Sequence, residues 1–393
     1  MEKLKSQELS VNEILLNAFA FYCENDFSFA LWRLPNANTL HLASTDSPQE
    51  WTDVNMEDAQ PGFLFAPFQP KQNKIYLPAD ELFKFESGQL SFSKGNHLDK
   101  IQASSDLEKK NKKKASSYYT GTNPLPTADG NKFIALVAKS RDEIIKGHFE
   151  KIVPSRAKTI ALQSDFDLLD TFNLLCGLYP HAMVSIFSSP LTGTWVGATP
   201  ELLVSVSKDQ HFLTAAIAGT QPYEEGTDLR TVSWTQKDIE EQALVERYII
   251  SCFKKIRLRE FEEHGPKTVV AGNLLHLKTD FDVDMAATNF PQLGTIMLKL
   301  LHPTSAVCGM PLEVSLEFLK NNEGYDRQYY SGYLGPLNVD QESHLYVNLR
   351  CMQLFASEAV LYAGAGVLAD SDPEKEWKET ELKMSTLQQV IRQ

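Results

Sequence analysis

The chain has 393 residues, 42% of them hydrophobic, and a formal net charge of −13 at pH 7. That is enough apolar material for one large core or two domains. The acidic balance argues against nucleic acid as the main partner, because phosphate backbones call for clustered Lys and Arg. An anionic ligand must therefore be met by local cations or a metal ion, against an unfavourable overall field. The five cysteines, Cys23, Cys176, Cys252, Cys308 and Cys351, are far apart and contain no CxxC pair. Neither a disulfide framework nor a zinc site is expected from them. No apolar run reaches the roughly 20 residues a membrane span needs, and MEKLKSQELS has no signal-peptide core. The expectation is a reduced, cytoplasmic protein with no membrane association.

In chain order, VNEILLNAFAFYCE reads as a helix, followed by the aromatic strand-like runs FSFALWRL and FKFESGQLSFS. Residues 96–130 are polar, lysine-rich at 109–114 and end in turn residues, which predicts an exposed linker or loop. Beyond it, FIALVAKSRDEIIKG is helical and KIVPSRAKTIAL a strand. FDLLDTFNLLCGLY is helical, and AMVSIFSSP, TWVGATPELLVSV and FLTAAIAGT are strands. The long helix KDIEEQALVERYIISCFKKI follows, then strands HLYVNLRCMQLF and AVLYAGAGVLA and a last helix, DPEKEWKETELKMSTLQQVI. Strands interrupted by helices without regular βαβ alternation predict an α+β fold with mainly antiparallel sheets.

Two helices carry acidic pairs at spacing three. In the long helix, Asp238, Glu241, Val245, Tyr248 and Cys252 fall on one row whose lower part is apolar. Carboxylates that continue a buried row are not what a solvated surface looks like, although a helix start also favours anions. In the last helix, Glu379, Lys383, Leu387 and Ile391 share a row, and Glu376 lies one turn before Glu379. Ser371 and Glu374 suit a capping box and Pro373 the first turn, which leaves Glu374 and Glu381 to the cap and to solvent. Two such helices could hold one hard cation such as Mg²⁺ between them. The competing reading is helix-start electrostatics for both pairs.

Several stretches combine in order: KIVPSRA (151–157), GATPELL (197–203), AIAGT (216–220), KDIEEQ (237–242), LHPTSAVCGMP (301–311), EGYDRQYYSGYLG (323–335), NLRC (348–351), YAGAGV (362–367) and SDPEKEWKETELKM (371–384). Together they resemble the chorismate-utilising enzymes, which include isochorismate, salicylate, anthranilate and aminodeoxychorismate synthases. The resemblance covers about residues 130–393. It implies one large unit of two face-packed, mainly antiparallel sheets with helices outside. Residues 1–120 would be a divergent N-terminal portion of that fold and 121–393 the chorismate-binding core. It also implies a magnesium ion, with Glu241 and Glu379 as direct ligands and Asp238 and Glu376 acting through water.

Within that family the resemblance points to the water-using branch. Lys151 resembles the general base, which must be a neutral amine and so should be desolvated or near another cation. Glu201 resembles the general acid, which needs a raised pKa in an apolar site. Ala218 stands where aminodeoxychorismate synthases carry a nucleophilic lysine. Arg350 suits the enolpyruvyl carboxylate through paired hydrogen bonds. Lys383 would add a second cation, Gly219 and Thr220 would bring backbone to the ring, and Gly364 and Gly366 fit a strand that a ligand crosses closely. His276 resembles a family histidine near the ring; a satisfied core histidine is the competing view. Gln242 departs from the family, standing where many relatives have histidine. Pro336 stands where tryptophan is frequent, and Pro154 interrupts the strand of Lys151. The implied activity is isochorismate synthesis from chorismate for menaquinone, by a monomer with no glutamine amidotransferase subunit. The alternatives are a siderophore-pathway isochorismate synthase, a salicylate synthase that also releases pyruvate, an anthranilate synthase, and a binding protein without turnover.

Overall fold

The computed structural model describes residues 9–103, 118–122, 125, 129–271 and 274–391. The chain opens with α1 (Val11–Glu24), β1 (Ser28–Arg33), β2 (Leu40–Thr45), β3 (Gln49–Trp51), β4 (Gly62–Ala66), β5 (Lys74–Pro78), β6 (Glu81–Glu86), β7 (Gln89–Lys94) and α2 (Leu98–Ala103). It continues with α3 (Gly130–Ile145), β8 (Lys151–Ile152), β9 (Ser155–Ala161), α4 (Leu168–Leu178), β10 (Met183–Ser189), β11 (Gly193–Thr199), β12 (Leu202–Val206) and β13 (His211–Pro222). Then come α5 (Gln236–Lys255), β14 (Glu262–Ala271), β15 (Leu274–Asp284), α6 (Leu293–Leu301), β16 (Gly309–Met310) and α7 (Leu312–Asn322). Strands β17 (Tyr333–Leu337), β18 (Ser343–Val347), β19 (Cys351–Leu354) and β20 (Glu358–Gly364) lead to α8 (Pro373–Ile391). Part of the expected linker, 98–103, is helical; the lysine run at 109–114 lies outside the described residues.

Two nine-stranded antiparallel sheets form the body. The first runs β7-β6-β2-β1-β10-β11-β19-β20-β9 and the second β14-β15-β13-β12-β18-β17-β4-β5-β3. They pack face to face. Alternation along each strand decides which side chain goes where. In β1, Ala30 and Trp32 join Phe63 and Phe65 of the second sheet, whereas Phe29 and Leu31 join α1, α4 and α8 on the outer face. The outer face of the second sheet is covered by Val245, Tyr248 and Cys252 of α5 and Met297 and Leu301 of α6. The apolar row expected on α5 is thus buried. No described helix is long and apolar enough to cross a membrane.

Three apolar runs expected as single strands are each divided. TWVGATPELLVSV becomes β11 in the first sheet and β12 in the second, with Pro200 and Glu201 at the crossing. HLYVNLRCMQLF becomes β18 and β19, again in different sheets, with 348–350 between them. KIVPSRAKTIAL breaks at Val153–Pro154. There β8 leaves to pair with β16 and β9 joins the edge of the first sheet. Strand length and hydrophobicity do not reveal a change of sheet, because both halves are largely buried where they meet the break.

Candidate active site

A cavity of ≈ 80 Å³ lies where the two crossings meet the starts of α5 and α8. Its lining includes Glu201, Ala218, Gly219, Thr220, Glu241, His276, Arg350, Gly364, Glu379 and Lys383, with Tyr330, Tyr362, Ala306 and Val307 supplying apolar and aromatic wall. Lys151, Glu376 and Asp238 do not line it. Lys151 lies behind Glu241, with Nζ 2.8 Å from Glu241 Oε1. Another groove, between α4 and the end of α8, presents Asp165, Asp167 and Asp170 and no basic residue, so it does not suit an anion.

Glu201 sits at the β11–β12 crossing, held by backbone on both sides: Val347 N–H donates to its carbonyl at 2.9 Å, and its own N–H donates to Thr199 Oγ1 at 3.4 Å. The residue is only 8% exposed. Burial pushes its carboxyl up to about 7, against the pull of Lys151, Lys383 and Arg350. A carboxylic acid that keeps its proton near neutrality can act as an acid.

Arg350 stands at the other crossing in the left-handed region, with φ 46°, a conformation unusual outside glycine. The turn brings its guanidinium into the cavity lining, where burial lowers its pKa to about 10. Nη1 donates to Thr386 Oγ1 at 3.3 Å, and among the described residues it forms no ion pair with a carboxylate. Lys383 Nζ lies 2.6 Å from Glu379 Oε1 and donates to the Gly364 carbonyl at 3.0 Å. His276 is buried, and its pKa falls to about 3, through desolvation first and then the Arg350 charge. Its Nδ1–H donates to the Gly219 carbonyl at 2.6 Å, which leaves Nε2 as a buried acceptor without a partner among the described residues. A core histidine with both nitrogens satisfied is therefore not what the ring is.

Two glycines make room for these contacts. Gly219 has φ 69°, and a Cβ there would come within 3.1 Å of Trp234 and 3.2 Å of Asp238. A Cβ on Gly366 would lie 2.2 Å from Glu241 Oε1 and 3.2 Å from Lys151 Cε.

The carboxylates at the two helix starts are not free. Glu241 is paired with Lys151, Glu379 with Lys383, and Glu376 with Lys237 at 2.5 Å. Burial pulls the Lys237 ammonium down, but Glu376, Glu241 and Glu379 outweigh it and push it up to about 12. Lys237 is the residue that sequence reasoning missed; its place four before Glu241 on α5 was the available signal. Asp238 forms a capping box instead, its Oδ2 accepting from Thr235 N–H at 3.1 Å and from Thr235 Oγ at 2.6 Å. Burial pushes Glu241 up, but Lys151, Lys237 and Lys383 overcome that and hold it below the usual carboxylate range. Glu376 is raised to about 7 by burial and by the Glu379 charge, and its Oε2 is buried without a hydrogen-bond partner among the described residues.

As they stand, no three His, Cys, Asp or Glu side chains among the described residues are grouped to hold a metal. The donor chemistry nevertheless fits a hard cation: three carboxylates from two helices, one with an orphaned buried oxygen, gathered around lysine ammonium.

Two details of α8 correct the sequence reading. Its cap is Asp372, whose Oδ1 accepts from Glu374 N–H at 2.9 Å and Lys375 N–H at 3.3 Å. Pro373 in the first helical position makes the residue before it the cap, and Ser371 Oγ instead accepts from Leu368 N–H at 3.0 Å. Glu381 does not face open solvent either: it pairs with Arg156 and, at 2.7 Å, with Lys158. Gln242, the departure from the family, is buried and donates to the Ala216 carbonyl at 3.2 Å.

Comparison with known proteins agrees with this architecture. The vibriobactin-specific isochorismate synthase of Vibrio cholerae is 27% identical over 243 residues, 60% of each chain. Isochorismate synthase EntC of Escherichia coli K12 is 30% identical over 274 residues, 66% of each chain. The match thus spans 60% to 66% of these relatives' own length. The structure of MenF, the menaquinone-specific isochorismate synthase from Escherichia coli, superposes with a TM-score of 0.72 at 19% identity, covering 98% of this chain and 96% of that one. The family model described as "Chorismate binding enzyme" matches residues 71–392, reaching further toward the N-terminus than the motifs that first suggested it. With its two crossings, paired sheets and acidic helix starts, the chain belongs to the chorismate-binding enzyme family.

Proposed function

We propose that this protein is an isochorismate synthase that adds water at C2 of chorismate and expels the C4 hydroxyl. The observation that carries this reading is the cavity's charge arrangement. A carboxyl raised to about 7, Glu201, shares one buried space with two cations, Arg350 and Lys383, and with Lys151 just behind the wall. Chorismate is a dianion whose C4 hydroxyl needs a proton to leave. Lys151, ion-paired with Glu241 in this structure, would have to act from its neutral-amine form, taking a proton from the attacking water as its oxygen bonds to C2. Both ring double bonds shift, from C1=C2 to C1=C6 and from C5=C6 to C4=C5, the C4–O bond breaks, and Glu201 gives its proton to the departing hydroxyl, which leaves as water. Atoms balance as an isomerisation.

Arg350 would bind the enolpyruvyl carboxylate through its fork. His276 Nε2, fixed as an acceptor, would take a hydrogen bond from a substrate hydroxyl. Gly219 and Thr220 offer backbone at the ring, and Gly364 keeps the β20 wall low beside it. Glu241 and Glu379 would hold a magnesium ion directly, and Glu376 and Asp238 would support it through water. The ion would supply positive charge to the ring carboxylate. Because Lys151 serves water, no ammonia-delivering amidotransferase subunit is required, and we propose a monomer acting alone. For the product's use we propose menaquinone synthesis, as in the menaquinone-specific MenF of Escherichia coli; the vibriobactin-specific relative favours a siderophore as the second reading.

The test is product analysis with chorismate, with and without Mg²⁺. Isochorismate without pyruvate is the expected outcome. Salicylate with pyruvate would establish a salicylate synthase, an ammonia-dependent product an anthranilate synthase, and binding without turnover a non-catalytic relative. Loss of the gene should deplete menaquinone rather than a catecholate.

A further inference from the structure

The EGYDRQYYSGYLG stretch holds a buried ion pair that the chemistry above does not use. The Arg327 and Glu323 side chains are 2% and 3% exposed. Arg327 Nε donates to Glu323 Oε2 at 2.9 Å and Nη2 to Oε1 at 2.5 Å. The other bonds of the guanidinium go to backbone: Nη1 to the Val307 carbonyl at 2.8 Å and Nη2 to the Val153 carbonyl at 2.7 Å. Glu323 Oε1 in turn accepts from Ser155 N–H at 2.7 Å and Ser155 Oγ at 2.8 Å. The group also stacks 4.3 Å from the Phe68 ring centre.

Val153 and Val307 both line the cavity. Val153 lies two residues after Lys151, and Val307 lies on the loop that leads into β16, the partner of β8. One rigid plane therefore spans the Lys151 strand and the facing loop. A guanidinium presents its donors in a fixed fork, so it sets the separation of the two carbonyls in a way a flexible ammonium does not.

We propose that Arg327, with Glu323, is a positioning residue that sets the width of the cavity between the Lys151 strand and the Ala306–Val307 loop. It touches neither substrate nor reacting atoms; it acts through Lys151. The inference rests on the chorismate reading for its kinetic consequence, and on geometry alone for its structural one.

Three variants test it. Arg327→Lys keeps the charge that Glu323 needs and removes the fork. Its expected phenotype is a kcat lowered about tenfold or more with KM for chorismate within about threefold of wild type, because Arg350 and Lys383 still anchor the substrate. Amide exchange of peptides covering 151–155 and 304–309 should speed up while a distant peptide such as 183–189 is unchanged. Arg327→Met should lower Tm by stranding Glu323. Arg327→Met/Glu323→Gln should regain Tm but not kcat. Wild-type kcat in the Lys variant, or recovery of kcat with Tm in the double variant, would overturn the proposal. A wild-type protein that does not turn over chorismate would refute the isochorismate reading instead. The exchange experiment would then decide the positioning role alone, and unchanged exchange in Arg327→Lys would refute it.

Discussion

Two buried ion pairs border the cavity, and they are satisfied to different degrees. Arg327 and Glu323 are bonded to each other and to three backbone groups, the Val153 and Val307 carbonyls and the Ser155 amide. Lys151 and Glu241 are 2.8 Å apart, but Lys151 Nζ, wholly buried, has no aligned hydrogen-bond partner among the described residues. Burying charge is costly unless its bonding capacity is filled. The saturated pair fixes where walls stand; the unsaturated one keeps donor capacity for a water or a ligand oxygen.

The largest effect should come from breaking the unsaturated pair. Lys151→Ala should lower kcat for isochorismate formation by about 10²–10⁴-fold, the usual contribution of a general base, with Tm changed far less than in Arg327→Met. Equal losses of Tm in the two variants would erase the distinction. Next, Gly366→Ala places a methyl 2.2 Å from where Glu241 Oε1 lies. Displacing that carboxylate and the adjacent Lys151 should lower kcat/KM by about 10²-fold with a small change in Tm; a near wild-type rate would show that the pair's geometry is not critical.

The remaining effect is on folding rather than on turnover and comes from Glu201. Its folded carboxyl holds a proton up to about 7, whereas an ordinary one releases it near 4.5. Stability from this group is therefore full below about 4.5 and lost as pH rises toward 7. The lost amount is about 3 kcal/mol. Glu201→Gln should be as stable as wild type at pH 4 and more stable by up to that amount at pH 8, measured by denaturant melts. In wild type, turnover should fall as pH rises through about 7, as the acid form is lost.

The helices were legible because their signals are local. VNEILLNAFAFYCE is α1 residue for residue, and the apolar row of α5 follows from spacing alone. The α+β class followed from the order of strands and helices, and the two face-packed sheets from the family motifs. The strand breaks were not legible, since Pro200–Glu201 and 348–350 interrupt runs that are buried on both sides. Only the motifs GATPELL and NLRC, and not their hydrophobicity, marked those places as special. The partners of the acidic residues were hidden for another reason: Lys237 meets Glu376 across 139 positions of chain, a contact no periodicity reports. Asp238 was legible as an acid at a helix start but not as the cap it makes with Thr235.

The N-terminal third carries none of the motifs, yet β1 is hydrogen-bonded to β10 near the middle of the first sheet and β4 to β17 in the second. A fragment starting at residue 130 would bare two long apolar strand edges, one in each layer. Such edges recruit other chains. The motif-bearing part of this molecule is thus not separable from the rest: truncation would yield an aggregating polypeptide rather than a minimal enzyme, and the first hundred residues are constrained by pairing geometry even where no side chain lines the cavity.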